Sequence, residues 1–125
     1  MVKDAGVHRI LVVDDESHVA TLLGAQLRLL GYEGVVADGA EHALELLEAD
    51  PERYSAVLTD FDMPGMTGSE LAEAVSERSL GVPVILVTGH DADIPEARVP
   101  GVSGVLLKPF RRTELAAFLE RVIGE

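Results

Sequence analysis

The chain has 125 residues, 22 acidic against 10 basic for a formal net charge of −12, and no cysteine. That length supports one domain with a real core and not two. The lack of cysteine excludes disulfide and thiol chemistry, and the negative charge argues against a nucleic-acid or anionic-membrane surface, each of which needs basic patches. An apolar content of 47% fits a globular chain. No apolar run is long enough to span a bilayer, and the first residues, Met1 to Gly6, hold no signal-like apolar segment. A cytoplasmic protein with no membrane partner and no direct nucleic-acid partner is therefore expected.

Residues 1–7 read as a loose tail, and residues 8–125 as one domain. His8 to Val13 reads as a first strand, ending in Asp14-Asp15. Val19, Leu22, Leu23, Leu27 and Leu30 then follow helical spacing until Gly31. Val35 and Val36 mark a short second strand. Asp38 with Glu41 predicts a capping box, opening a helix with Ala40, Ala43, Leu44 and Leu47 on its apolar face and Pro51 beyond its end. Ala56 to Thr59 is a third strand, ending at Asp60, followed by a turn-rich loop, Phe61 to Met66. Thr67 and Glu70 form a second predicted capping box, with Leu71, Ala74 and Val75 facing inward. Val84 to Val87 is a fourth strand ending at Thr88-Gly89. Pro95 and Pro100 bracket a short or irregular fourth helix over 91–100. Gly104 to Leu107 is a fifth strand, and Leu115, Phe118, Leu119 and Val122 predict a last amphipathic helix. Five strands alternating with five helices, joined by right-handed crossovers, give an α/β doubly wound parallel sheet with helices on both faces.

In such a sheet ligands bind outside the carboxyl ends of the strands. Asp14, Asp15 and Asp60 would meet there. By itself the Asp14-Asp15 pair reads as a helix-start pair. Gathered with Asp60 it is costly, since two like charges ~4 Å apart repel by about 4 kcal/mol at an effective dielectric of ~20. A hard divalent cation offsets that, and Mg²⁺ accepts one or two carboxylates plus waters and phosphate oxygens. Zinc is disfavoured: there is no cysteine, and His8, His18, His42 and His90 are not at ligand spacing. Lys108 at the end of a buried run calls for an anionic partner. Thr88 stands beside Gly89, which lets a ligand approach the backbone closely. The Lys108–Pro109 bond is a candidate for the cis form. Three carboxylates, a hydroxyl and an ammonium suit the receipt of a phosphoryl group.

The blocks ILVVDDE (10–16), LTDFDMPGMTG (58–68), ILVTGH (85–90) and LLKPF (106–110), in this order and covering nearly the whole chain, resemble the receiver domain of two-component response regulators. The resemblance implies the flavodoxin-like strand order 2-1-3-4-5, an order the chemotaxis receiver exemplifies. It implies Asp60 as phosphoacceptor and Mg²⁺ as cofactor. The metal would be held by Asp15 and Asp60 directly, by the backbone carbonyl of Asp62, and by Asp14 through a water. Thr88 and Lys108 would face the phosphoryl oxygens. The implied partners are a histidine kinase or histidine phosphotransfer protein, with a phosphorylation-dependent homodimer as a further expectation. The chain would be a signalling domain that catalyses only its own phosphorylation and dephosphorylation.

Two departures stand out. Val105 occupies the position three before the lysine where receivers commonly carry an aromatic ring, and the segment between Thr88 and Lys108 is proline-interrupted. His90 and Asp62 are candidates to orient the water that hydrolyses an aspartyl-phosphate. Three other readings compete with this one. A haloacid-dehalogenase-like phosphatase would use Asp60-Phe-Asp62 as its Asp-x-Asp motif, but Pro64 stands where that family has Thr or Val, and the motif follows the third strand. A flavodoxin would need a Ser/Thr/Gly-rich phosphate loop after the first strand, where Asp14-Asp15-Glu16 would repel the anion. A phosphorylation-independent pseudo-receiver would not need the acidic pair, Thr88 and Lys108.

Overall fold

The computed structural model describes residues 8–89 and 100–124. Five strands, β1 (Arg9–Val13), β2 (Glu33–Ala37), β3 (Ala56–Asp60), β4 (Val84–Thr88) and β5 (Val102–Leu107), form one sheet. Its order is β2-β1-β3-β4-β5, and every neighbouring pair is parallel. All carboxyl ends therefore open on one rim. The strands are apolar on both sides because both faces are covered. Alternate residues divide between two cores. Ile10, Val12, Leu58, Ile85 and Leu106 face one way. Leu11, Val13, Val57, Val84 and Leu86 face the other.

The first core is closed by α1 (Ser17–Leu29) through Ala20 and Leu27, and by α4 (Arg112–Ile123) through Leu115 and Leu119. Leu115 and Leu119 are wholly buried, each adding ~1.5–3 kcal/mol of apolar transfer. Phe118 of α4 lies against Gly104 of β5, in the space a Cβ there would occupy, and Arg121 stacks on the same ring at 4.6 Å. The second core is closed by α2 (Ala40–Ala49) and α3 (Gly68–Glu77). Among the described residues there are four α-helices and a short 3-10 turn at Pro51–Arg53, and the segment 91–100, where a further helix is expected, lies outside them except for Pro100.

Several local expectations are corrected. The first strand begins at Arg9, the second runs from Glu33 to Ala37, and the fifth starts at Val102, with its register shifting between Val84 and Ile85. The helix at 40 has Gly39 as its N-cap and no side-chain cap, so Asp38 and Glu41 do not form a capping box. The reason is a one-residue offset: Ala40 is the first helical residue, which puts His42, not Glu41, third in the helix. His42 Nδ1 lies 3.2 Å from Asp38 Oδ1. The Thr67–Glu70 box forms as expected: Glu70 N–H donates to Thr67 Oγ1 (3.1 Å) and Thr67 N–H to Glu70 Oε1 (2.9 Å). Leu22, one of the helically spaced apolar residues of α1, is 65% exposed. The buried stripe runs through Ala20, Gly24 and Leu27 instead, and Leu22 lies beside it. Helix α1 stops where expected, with Gly31 taking a positive φ of 94°.

Candidate functional site

Each acidic side chain is set by a strand end. Asp14 extends the β1–β2 ladder by one residue, its N–H donating to Ala37 O (3.3 Å). Its Oδ1 accepts from Glu16 N–H at 2.9 Å, the local turn that Asp readily makes. Asp14 is thereby buried while Asp15 stays exposed. Asp60 ends β3 in register with Val87, and the next residue, Phe61, donates its N–H to Val87 O at 2.9 Å. Asp14, Asp15 and Asp60 each offer a carboxylate oxygen, and these oxygens lie within 4.8 Å of one another. Lys108, just past β5, reaches back so that its Nζ lies 3.3 Å from Asp60 Oδ1. Its backbone N–H donates to Thr88 O at 2.8 Å. The Lys108–Pro109 bond is cis.

Burial raises the pKa of the Asp60 carboxyl above its ordinary value of 3.8. Lys108 works in the opposite direction, while Asp14 and Asp62 add to the rise. Asp14 is raised as well, again mainly by burial, against the Glu16 N–H and Lys108. At this rim desolvation and like-charge repulsion outweigh a single lysine. A cluster of three carboxylates with no sulfur or imidazole donor among the described residues of the group is the hard-oxygen set that suits Mg²⁺ or Ca²⁺ rather than zinc. The residues present fit a magnesium ion.

Of the residues singled out from sequence, Asp14, Asp15, Asp60 and Lys108 come together directly. Thr88 is wholly buried at the end of the adjacent strand, one residue beyond Asp60's partner Val87. Asp62 is exposed on the loop that follows. His90 lies outside the described residues. Val105 is partly buried and sits against the α2–α3 core. Sequence reasoning missed the apolar wall of the site. Asp14, Asp60 and Lys108 open onto a cleft of about 290 Å³, walled by Val19, Leu22 and Leu23 of α1 with Pro109 and Phe110. These α1 residues read as helix core because spacing cannot separate a stripe that faces the sheet from one flanking it.

Comparison with known proteins agrees with this geometry. The response regulator receiver domain family matches residues 10–120. The chemotaxis protein CheY of Pseudomonas aeruginosa is 36% identical over 119 residues, covering 91% of this chain and 94% of that protein. A response regulator receiver domain protein from Clostridium thermocellum superimposes with a TM-score of 0.86 at 25% identity, covering 94% of each chain. The response regulator TrrA of Thermotoga maritima, solved in complex with Mg²⁺-BeF, superimposes with a TM-score of 0.80 at 30% identity, covering 92% of this chain and 98% of that one. The family match over residues 10–120, the sheet order β2-β1-β3-β4-β5 and the acidic rim with its lysine have one common meaning: the chain belongs to the response regulator receiver domain family.

Proposed function

We propose that this receiver domain accepts a phosphoryl group on Asp60 from the phosphohistidine of a histidine kinase or a histidine phosphotransfer protein, in a Mg²⁺-dependent reaction. The observation that carries the reading is the approach of Lys108 Nζ to Asp60 Oδ1, 3.3 Å, beside the clustered oxygens of Asp14 and Asp15. A carboxylate oxygen of Asp60 attacks phosphorus, forming a P–O bond. The P–N bond to the donor imidazole breaks, and its electron pair stays on the imidazole nitrogen. Asp14, Asp15 and Asp60, with the carbonyl of Asp62, would hold the metal, which when bound supplies positive charge to the phosphoryl oxygens.

Lys108 has two tasks. Before transfer its charge favours the ionised form of Asp60 and works against burial. During transfer it pairs with charge on the oxygens of the passing group. Thr88 is assigned the donation of a hydroxyl hydrogen bond to the same oxygens, from the strand next to Asp60. Phosphorylation adds negative charge and acceptor oxygens at the rim. Drawing Thr88 and Lys108 inward shifts the ends of β4 and β5, and with them the β5–α4 face, which a partner or a second copy of the chain would read. Val105 leaves that response without an aromatic ring at its usual position.

The test is incubation with Mg²⁺ and a small phosphodonor such as acetyl phosphate, followed by intact-mass analysis. Wild type gains the mass of one phosphoryl group, and Asp60→Asn gains none. Equal labelling of both proteins, or none of wild type, overturns the assignment.

A further inference from the structure

Resting on the magnesium-dependent reading above, we infer that Gly68 is a positioning residue for the metal-facing loop. Gly68 is the first residue of α3 and is buried. A side chain there has nowhere to go. A Cβ built on Gly68 would lie 2.5 Å from the carbonyl oxygen of Asp60, 3.1 Å from Phe61 Cα and 3.0 Å from Leu86 Cδ2. These are well inside the ~3.5–4.0 Å at which non-bonded heavy atoms rest. Two of the three obstacles are backbone, so no rotamer change clears them, and one belongs to the phosphoacceptor itself. At Gly104, by contrast, the obstacle is the Phe118 ring, a side chain and not backbone.

The same contact closes a loop. Gly68 N–H donates to Phe61 O at 3.1 Å, while Phe61 N–H donates to Val87 O at 2.9 Å. The peptide after Asp60 is thus gripped from α3 on one side and from β4 on the other. The loop from Asp62 to Thr67 springs from that grip, and the reciprocal cap between Thr67 and Glu70 fixes where it re-enters the helix. The carbonyl proposed to bind metal, that of Asp62, is the first one past the gripped peptide. Any side chain at 68 pushes α3 and the Asp60–Phe61 backbone apart and moves that carbonyl relative to the carboxylates.

The experiment is magnesium titration of the purified full chain by calorimetry, with amide NMR shifts recorded in parallel. Gly68→Ala is expected to weaken Mg²⁺ binding about tenfold or more, the scale of lost outer-shell support at a metal site. Gly31→Ala is the control. Its φ is 94° and nothing lies within 4 Å of a Cβ there, so it strains the turn between α1 and β2, away from the rim and from α3, and keeps the wild-type magnesium affinity. An unchanged affinity in Gly68→Ala, or an equal loss in Gly31→Ala, overturns the inference. If Gly68→Ala does not fold, Thr67→Ala, which loosens the same helix start, must weaken magnesium binding in the same direction, and unchanged binding overturns the inference. If wild type binds no Mg²⁺, the metal reading fails by itself. The placement of Gly68 is then judged from the Phe61 and Asp62 amide shifts in Gly68→Ala, which must move if it is right.

Discussion

At the amino-terminal end of the sheet, charges and polar groups are matched. Arg9 on β1 meets Glu33 on β2 across the ladder, with Nη2 to Oε1 at 2.8 Å, and His8 Nδ1 lies 2.8 Å from Ser55 Oγ. At the carboxyl end, three carboxylates share one lysine, and burial raises the pKa of two of them. The same five strands run between the two ends, so the difference lies in the residues placed there and not in the scaffold. One end is built to be stable without a ligand. The other carries an electrostatic penalty that a bound cation would relieve.

Magnesium should break the asymmetry most strongly. At a hundred times its dissociation constant, a ligand bound only by the folded state adds about 2.7 kcal/mol. A thermal melt of the wild type with and without saturating Mg²⁺ checks this: the midpoint should rise by several degrees, and a static midpoint contradicts the metal site.

Asp60→Asn comes next. In the metal-free protein it removes a carboxylate whose ionisation the fold opposes. It should stabilise by about 1 kcal/mol at neutral pH, the ordinary scale of a single-site change, and should sharply reduce the magnesium shift. The sign follows from linkage. Asp60 has a folded pKa above 3.8, so the native state binds its proton more tightly than the unfolded chain does. The corresponding stability is full below 3.8 and is lost as pH rises through the elevated folded value. The advantage of Asp60→Asn over wild type should therefore fade as pH falls toward 3.8. Urea melts of both proteins across that range, in chelator, measure it, and a pH-independent difference would contradict the burial argument.

The smallest effect belongs to the matched end. A double-mutant cycle on Arg9→Ala and Glu33→Ala should return a coupling of about 0.2–1 kcal/mol, as exposed ion pairs do, and should leave magnesium binding untouched. A larger coupling would mean that this end also governs the fold.

Much of this is legible in the amino-acid sequence. Parallel strands buried on both faces are continuous apolar runs, and a polar residue terminating such a run has to sit on the rim, so Asp14, Asp60, Thr88 and Lys108 declared their places. Thr67 and Glu70 announced a helix start because that signal is purely local. Local signals failed where one residue of offset decides the outcome: Asp38 and Glu41 have the right spacing, yet the helix begins at Ala40. Leu22 failed for a different reason, since helical spacing gives the width of an apolar stripe but not its edge against the sheet. The clasp at Gly68 was invisible because a missing side chain gives no signal until the backbone that fills its space is known.

Phe118 lies where Gly104 has no side chain, with Arg121 stacked on the ring. The ring acts as a key in a notch, and α4 cannot glide lengthwise over β5 without withdrawing it. A displacement of β5 would press on that ring, and through it on α4. Widening the key or filling the notch would uncouple the two without disturbing a single charged group at the rim.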